Sequence, residues 1–350
     1  MHGGPDAQGT APNDFSTNGN ALGPCAPVVE ALRSVDATHY PDPNYTVLRE
    51  RLAAFHDVDP TRIVIAASAS EFIFRITAAV ARSGGRSVLL PKYGYGDYAK
   101  AASAWGMRIR RGGDGVDDGE RSDAEGASLV WHCDPSSPLG QPVVGLGRLV
   151  DDLPDDATCV LDLAYEPLRL DGRLELAAHR LDRVWQLWTP NKALGLTGIR
   201  AAYAIAPGVE TVVGGGATDR RSLRRSVDLL APSWPTGSHG VLMLGEWTKP
   251  EVRHWLNDSH EVLSNWKDAQ IGMLASMGWT VKPSVANFFC ASPGDRSVDI
   301  DALKYTLRAN GIKVRDATSF GLPGVFRLAV LDPISRTALE NGLRAIGMSG

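Results

Sequence analysis

Apolar runs alternate with stretches of helical spacing over much of this chain. Helical spacing is seen at Leu48, Leu52 and Phe55, which fall on one face of a helix. Strands are predicted at 63–65, 87–90, 107–111, 127–131, 158–161 and 184–188. The last three are continuous apolar runs, as strands are when helices cover both faces of a parallel sheet. The order of elements therefore predicts an α/β domain with a mostly parallel sheet.

The pattern changes after about residue 240. Long helical stretches run to about residue 277, followed by a short apolar run at 288–290, a helix at 299–310 and two short strands. A last helix is expected to begin at Pro333, with Asp332 as its N-cap. This order is typical of a smaller α+β domain. We expect three parts: a 1–39 segment that docks at the active site, a large 40–245 domain and a small 246–350 domain.

Composition and charge exclude several classes of protein. The chain has 36 basic and 40 acidic residues, which leaves no basic surplus for a nucleic-acid or anionic-membrane partner. We find neither an export signal nor an apolar stretch of membrane-spanning length, so we expect no membrane association. The four cysteines are far apart and lack CxxC spacing, which favours reduced thiols in a cytoplasmic protein. We expect no metal site.

One lysine stands apart from the others. A lysine that acts as a nucleophile must be desolvated and held, whereas most lysines are solvated ends of surface helices. Lys192 directly follows the apolar run at 184–188 and precedes a glycine-containing segment that ends at Arg200. Most of the other lysines fall on amphipathic helices or beside prolines, as surface lysines do. The sequence therefore favours Lys192 as a catalytic residue over a lysine in an ordinary turn.

A candidate phosphate site lies at the start of the helix that follows the strand at 63–65. Ser68, Ala69 and Ser70 offer hydroxyls, free backbone N–H groups and the positive end of a helix dipole. A serine N-cap is also common for purely structural reasons. Arg200 adds a guanidinium suited to phosphate, and Thr189 adds a hydroxyl.

An acid at the end of a strand completes the set. Asp162 follows the run at 158–161, and ligands of open α/β sheets bind beyond the carboxyl ends of strands. Its alternative role is the N-cap of a following helix. A carboxylate there can hold a ring nitrogen protonated, and the Tyr165 phenol can hydrogen-bond the same ligand. A lysine for a Schiff base, the candidate phosphate site, a carboxylate and an aromatic residue together indicate a pyridoxal phosphate site.

Several segments match motifs of one enzyme family. The segments are His2-Gly3-Gly4 (HGG), 14–24 (FSxNxNPLGP), Tyr40-Pro41-Asp42 (RYPD), 66–71 (GNGATE), 95–98 (FxEY), 134–142 (NPNNPTGQP), 161–165 (VDEAY) and 189–200 (SxS/TKxxxxxGxR). On these motifs the chain resembles the fold-type I pyridoxal-phosphate enzymes, in the branch of histidinol-phosphate aminotransferase and threonine-phosphate decarboxylase. The similarity covers nearly the whole chain. It implies a large domain with a mostly parallel sheet and a smaller C-terminal α+β domain.

The resemblance also implies roles for individual residues. Lys192 forms the Schiff base, and Asp162 and Tyr165 contact the cofactor ring. Tyr95 stacks on the ring, with Tyr93 as the fallback. The other implied cofactor contacts are Ser68, Ala69, Ser70, Ser137, Thr189, Asn191 and Arg200. Tyr40 reaches the cofactor phosphate of the neighbouring subunit, which implies a homodimer, and Asn20, Arg315 and Arg327 bind the substrate.

The departures from the family pattern bear on activity. Ser137 stands where an asparagine normally contacts the cofactor oxygen, and Asn191 replaces the hydroxyl before the lysine. The shorter Ser137 shifts that contact towards Tyr165, at a cost of about 1 kcal/mol, or about tenfold in affinity. We expect a pyridoxal-phosphate-dependent aminotransferase acting on an amino acid or amino-phosphate. A decarboxylase, and a binding protein with weakened chemistry, are the alternatives.

Overall fold

The computed structural model describes residues 3–112, 124–208, 216–295 and 297–345, with side chains from 222 onward in the helix at 216–229. The predicted surface loop at 112–126 lies mostly outside these residues, as does His2 of the HGG motif. The described strands are β1 (Asn13–Asp14), β2 (Ile63–Ala66), β3 (Ser87–Leu90), β4 (Arg108–Arg111), β5 (Leu129–Cys133), β6 (Thr158–Asp162), β7 (Trp185–Trp188), β8 (Ala202–Ile205), β9 (Thr280–Val281), β10 (Phe288–Ser292), β11 (Ile312–Lys313), β12 (Arg315–Asp316) and β13 (Phe326–Ala329).

Helices separate most of these strands. They are α1 (Ala26–Arg33), α2 (Thr46–His56), α3 (Ala69–Arg82), α4 (Gly96–Ala104), α5 (Leu146–Asp151), α6 (Ala178–Leu181), α7 (Gly216–Leu229), α8 (Ser238–Trp247), α9 (Pro250–Ser276), α10 (Ile300–Ala309) and α11 (Pro333–Ala345). The last helix begins as predicted, because the Asp332 carboxylate accepts hydrogen bonds from the backbone N–H groups of Ile334 and Ser335.

Seven strands form the large sheet, in the order β2-β8-β7-β6-β5-β3-β4. The strands from β7 to β4 are parallel, whereas β8 is antiparallel to both of its neighbours, β2 and β7. The mostly parallel sheet is therefore confirmed, with one reversed strand that the sequence analysis did not predict. The residues of β8, Ala-Tyr-Ala-Ile, are apolar and buried, but the sequence analysis assigned no strand to them.

Helices cover both faces of this sheet. On one face α3 packs Phe72, Ile73 and Ile76 against strand residues such as Val64 and Leu129, all of them buried. On the other face α2 and α8 contribute to a core that continues into the C-terminal part. Because the sheet is covered on both sides, its open edge at the carboxyl ends of the parallel strands remains the place for a ligand.

A smaller sheet lies in the C-terminal part, in the antiparallel order β12-β13-β10-β9. The N-terminal strand β1 pairs in parallel with β11, and the carbonyl of Phe15 accepts a 2.9 Å hydrogen bond from the Ala329 N–H. The α+β character of this part is as predicted. The boundaries at 39/40 and 245/246 stay predictions.

Within the residues that the structure describes, none of the helices is both long and apolar enough to span a bilayer. The same residues include no group of three or more His, Cys, Asp or Glu side chains arranged to hold a metal ion.

Candidate active site

A cavity of about 540 Å³ opens at the edge of the large sheet where the parallel strands end. Most of the predicted site residues line it. These are Ser68, Ala69, Ser70, Tyr95, Ser137, Asp162, Tyr165, Thr189, Asn191, Lys192, Arg200, Arg315 and Arg327. The structure therefore brings together side chains from the N-terminal, middle and C-terminal parts of the chain.

Lys192 lies in the connection between β7 and the reversed strand β8. Its Nζ is 5.1 Å from the centroid of the Tyr165 ring, and its carbonyl accepts a 2.9 Å hydrogen bond from the Asn20 N–H. Gly195 adopts φ +66° and packs so closely on the N-terminal segment that a Cβ there would lie 2.8 Å from Gly23 Cα. Because of this contact, the N-terminal segment packs directly against the loop that carries Lys192, which we call the lysine loop.

Asp162 is the last residue of β6 and is almost completely buried. Its Oδ2 accepts a 2.5 Å hydrogen bond from the Tyr98 hydroxyl, and its Oδ1 accepts one of 2.9 Å from the Ala164 N–H. Burial raises the pKa of Asp162, while these two bonds and the nearby Lys192 ammonium act to lower it. The carboxylate is therefore held in place, and a positively charged partner in the cavity would favour its ionised form.

The N-terminus of α3 points its free N–H groups into the same cavity. Ser68 is the N-cap, and its hydroxyl accepts a 3.1 Å hydrogen bond from the Glu71 N–H. The Ser70 hydroxyl is 3.1 Å from the Tyr95 hydroxyl. Ser68 thus has the structural role considered from the sequence, and the first turn beyond it presents backbone donors and a positive dipole to an anion.

Two tyrosines near the start of α4 differ in position. Tyr95 lines the cavity and makes an edge contact with Tyr98, with ring centroids 5.9 Å apart. Burial raises the pKa of Tyr95 to about 12, so its hydroxyl stays protonated at neutral pH. Tyr93 lines a separate cavity beside Lys92. Tyr95, rather than the fallback Tyr93, is thus the tyrosine of this pair that faces Lys192 and Asp162.

Tyr165 and Ser137 lie on neighbouring loops of the cavity. The Tyr165 hydroxyl accepts a long hydrogen bond of 3.4 Å from Asn18 Nδ2, and its ring packs against Phe288. Ser137 is in the loop after β5, which is held by the buried ion pair between Asp134 and Arg169. Both residues line the cavity, so their hydroxyls are available to a ligand in it.

Buried polar atoms without partners test whether this cavity fits pyridoxal phosphate, the group that the resemblance implies. Thr189 Oγ1 and Asn191 Oδ1 are buried, and neither has a hydrogen-bond partner among the described residues. Both residues line the cavity, as does the exposed Arg200. Unsatisfied buried groups are costly, so a polar ligand in the cavity would stabilise these two. The phosphate donors, the acid and the lysine fit the cofactor.

Two arginines face each other on the small sheet. Arg315 and Arg327 are directly paired across β12 and β13, and both are buried. Both guanidiniums lie over the Phe320 ring, at 4.9 and 5.6 Å from its centroid. Arg315 donates to Ser319 Oγ and Arg327 to the Ser16 carbonyl. Within the described residues neither forms an ion pair with a carboxylate, so the pair can bind an anion.

Asn20 and Tyr40 are outside the cavity. The Asn20 side chain donates to Ser259 Oγ at 2.8 Å and accepts from the Leu22 N–H, so it is occupied with the fold of the N-terminal segment. Tyr40 is 78% exposed and stacks on Trp234. The structure does not bring Asn20 to the substrate arginines, and the role of Tyr40 towards a neighbouring subunit stays a prediction.

Asn18 and Tyr98 are among the cavity residues that the sequence analysis did not assign to the site. Asn18, with a buried and unpartnered Oδ1, is the asparagine of the FSxNxN segment that faces the cavity. Tyr98 holds Asp162 and stacks on Trp131, with ring centroids 4.4 Å apart. Both residues lie in the family motifs quoted above, but the spacing did not indicate whether Asn18 or Asn20 faces the cavity.

The chain is similar to known proteins over nearly its whole length. The family model described as "Aminotransferase class I and II" matches residues 11–346. A histidinol-phosphate aminotransferase of Ruegeria pomeroyi is 27% identical over 344 residues, covering 95% of this chain and 90% of that protein. One from Paramagnetospirillum magneticum is 30% identical over 332 residues, covering 90% and 86%.

Two solved structures are similar in fold. The L-threonine-O-3-phosphate decarboxylase from Porphyromonas gingivalis superposes with a TM-score of 0.73 at 20% identity, covering 91% of this chain and 93% of that one. The histidinol-phosphate aminotransferase from Sinorhizobium meliloti in complex with pyridoxal-5'-phosphate gives 0.75 at 21% identity, covering 94% and 90%. The predicted type I fold is thereby confirmed.

Proposed function

Because the chain belongs to the class I and II aminotransferase family and is a pyridoxal-phosphate-dependent transferase, we propose that its substrates are amines with a carboxylate or phosphate group. One observation carries this proposal. The buried arginines Arg315 and Arg327, which have no carboxylate partner among the described residues, open on the same cavity as Lys192 and Asp162. An anionic substrate bound by these two arginines would present its amino group to Lys192.

We assign the cofactor contacts to residues of this cavity. The first turn of α3, Thr189 and Arg200 would hold the phosphate, Tyr95 would cover the ring, and Tyr165 with Ser137 would contact the ring oxygen. When bound, the cofactor supplies an electrophilic carbon for amines and a ring that accepts the electron pair released at the substrate Cα.

The chain's own groups move and hold the protons. Lys192 Nζ, once free, takes the proton from the substrate Cα, because it is the lysine beside Tyr165 and Asp162. The Asp162 carboxylate, fixed by Tyr98 and the Ala164 N–H, holds the proton of a ring nitrogen by pairing with its positive charge. Arg315 and Arg327 orient the substrate through its anionic group.

Arg315→Gln and Arg327→Gln are expected to raise KM for the anionic substrate about tenfold to a hundredfold each, with a smaller change in kcat. A hydrogen bond to a charged group contributes about 1.5–3 kcal/mol, and each 1.4 kcal/mol is tenfold in affinity. Steady-state kinetics checks this, with the exposed Arg344→Gln on α11 as the matched control. An unchanged KM in both cavity variants would remove these arginines from substrate binding.

The reaction itself is tested by incubating the purified enzyme with amino acids and amino-phosphates, with and without an oxo-acid. We expect amine exchange that depends on the oxo-acid and releases no carbon dioxide. Carbon dioxide release without oxo-acid would instead assign a decarboxylase. Absence of both reactions, together with retained cofactor, would support the binding-protein alternative that the substitutions at Ser137 and Asn191 leave open.

We further propose a homodimer in which Tyr40 reaches the neighbouring active site. The support is its position: Tyr40 is exposed beside Trp234, whose Nε1 donates a 3.0 Å hydrogen bond to the Pro41 carbonyl. Light scattering is expected to give twice the mass of the chain. Tyr40→Phe is expected to weaken cofactor retention without changing that mass, whereas a fully active monomer would contradict the proposal.

We propose that the protein works in the cytoplasm. All four cysteines are buried and free, and burial raises the pKa of each thiol above its ordinary value. Free thiols of this kind are usual in reducing compartments. Fractionation of cells that express the protein tests this directly.

A further inference from the structure

A second cavity, of about 420 Å³, lies at the opposite edge of the large sheet from the active site. Thr158 and Trp185, which line it, begin β6 and β7, and Arg62 directly precedes β2. Ala206 follows β8, whose end lies beside these starts because β8 is reversed. This cavity and Lys192 are therefore separated by the length of the strands.

Four arginines line this second cavity, which we name the arginine cavity. They are Arg49, Arg62, Arg183 and Arg224, and Asp228 is the one carboxylate among the described lining residues. Arg62 pairs with Asp182 at 2.7 Å, Arg183 lies 3.6 Å from Asp151, and Arg224 pairs with Asp228. Positive charge thus exceeds negative charge in the lining.

The hydrogen-bonding capacity of these guanidiniums also exceeds the acceptors that the protein supplies. Among the described residues, Arg49 has no ion pair or side-chain hydrogen bond, and its Nε is buried. Arg62 Nη2 and Arg224 Nε are likewise buried without an acceptor. Burial lowers the pKa of Arg224, the paired Asp228 acts to raise it, and the like charge of Arg49 acts to lower it. Such a cluster is costly unless an anion joins it.

We propose that the arginine cavity binds a small phosphorylated metabolite, at a site separate from the catalytic cavity. Planar guanidiniums bind phosphate through paired N–H donors, and several of them around one cavity match a group with two negative charges. The volume is within the range of small-molecule sites. The site's ligand would contact the starts of β6 and β7, whose far ends carry Asp162 and the Lys192 loop.

The test is calorimetric titration of the holoenzyme with inorganic pyrophosphate. The holoenzyme is used because the phosphate of its bound cofactor already occupies the phosphate site at the start of α3. We expect one pyrophosphate per chain to bind in the Arg315→Gln holoenzyme, in which the anion site of the catalytic cavity is weakened. Arg49→Gln and Arg183→Gln are the chosen variants, since neither guanidinium donates a hydrogen bond to the backbone among the described residues. Each is expected to weaken binding about tenfold or more. The exposed Arg148→Gln on α5 is the matched control.

Several outcomes would overturn the proposal. They are absence of binding, equal weakening by Arg148→Gln, or loss of binding in Arg315→Gln, which would place the anion in the catalytic cavity. Citrate binding more tightly than pyrophosphate would overturn the phosphate class. A crystal of the unaltered holoenzyme soaked in tungstate gives an independent answer that needs no variant. Tungstate between Arg49 and Arg224 supports the site, and tungstate found only elsewhere overturns it.

Discussion

Replacing Lys192 with alanine is expected to abolish amine transfer, with kcat reduced by about 10⁴-fold or more. The cavity places its Nζ beside Tyr165 and Asp162, and among the described lining residues Lys100 is the other lysine. Lys100 is on α4, where it lies 5.9 Å from the centroid of the Phe74 ring. We therefore expect no other amine to take the proton from the substrate Cα.

Spectra and kinetics together check this result. The visible absorption of the bound cofactor is expected to shift in Lys192→Ala, because the covalent link to the protein is lost. Added small primary amines are expected to restore part of the rate, since they can enter the 540 Å³ cavity. Lys249→Ala, at the N-terminus of α9, serves as the control. Activity within tenfold of the unaltered enzyme would remove Lys192 from the mechanism.

Replacing Asp162 with asparagine is expected to reduce kcat by about 10²–10³-fold, as the loss of a preorganised charge at a reacting centre does elsewhere. The side chain keeps its size and its hydrogen bond from the Ala164 N–H, and its new amide N–H can donate to the Tyr98 hydroxyl in place of accepting from it, so packing is kept while the charge is removed. Cofactor retention is expected to fall as well, which dialysis followed by absorption measures. A variant with normal kcat and normal retention would contradict the pairing of Asp162 with the ring.

The Asp162→Asn variant is expected to lose activity but to gain thermal stability. Burial raises the pKa of Asp162, so the unfolded chain ionises at a lower pH than the folded one. As pH rises above the unfolded value of about 3.9, the folded state is increasingly penalised, and the penalty is complete above the raised folded pKa. At pH 7 the cofactor-free Asp162→Asn protein is therefore expected to melt at a higher temperature than the unaltered protein.

Acidification should remove this difference. Below the unfolded pKa, Asp162 carries its proton in both states, so the two cofactor-free proteins are expected to have the same melting temperature. Calorimetric scans from pH 7 down to about pH 3 follow the change. A stability gap that grew as the pH fell would show that the carboxylate stabilises the fold, contrary to this account.

The sequence predicted the large sheet well because its strands are buried on both faces. The predicted strands at 87–90 and 158–161 agree with β3 and β6 within one residue. The reversed β8 was missed although it is apolar, because alanine has a low strand propensity and the strand state of these residues depends on pairing with β2 and β7. Local pattern predicts burial, whereas the direction of a strand is set by its partners.

The candidate active site likewise has features that the sequence predicted and features that it did not. Lys192, Asp162 and the α3 N-terminus follow directly from strand ends, so their common cavity was predictable from the order of elements. The inward position of Asn18, rather than Asn20, depends on the path of the N-terminal segment against Ser259 and the lysine loop. The bond from Tyr98 to Asp162 joins residues 64 apart in the sequence, which a single sequence does not reveal.

The hydrogen bond between Phe15, just after β1, and Ala329 of β13 has a consequence for biosynthesis. Phe15 is fully buried, yet its carbonyl partner, the N–H of Ala329, is made long after it. At about 5–20 residues per second, a ribosome needs roughly 15–60 s to reach that partner after making Phe15. During this time the N-terminal segment lacks its binding place, and Arg315 and Arg327 do not yet exist. The large sheet can form on the ribosome, but the cavity closes only after the residues up to Ala329 have been made.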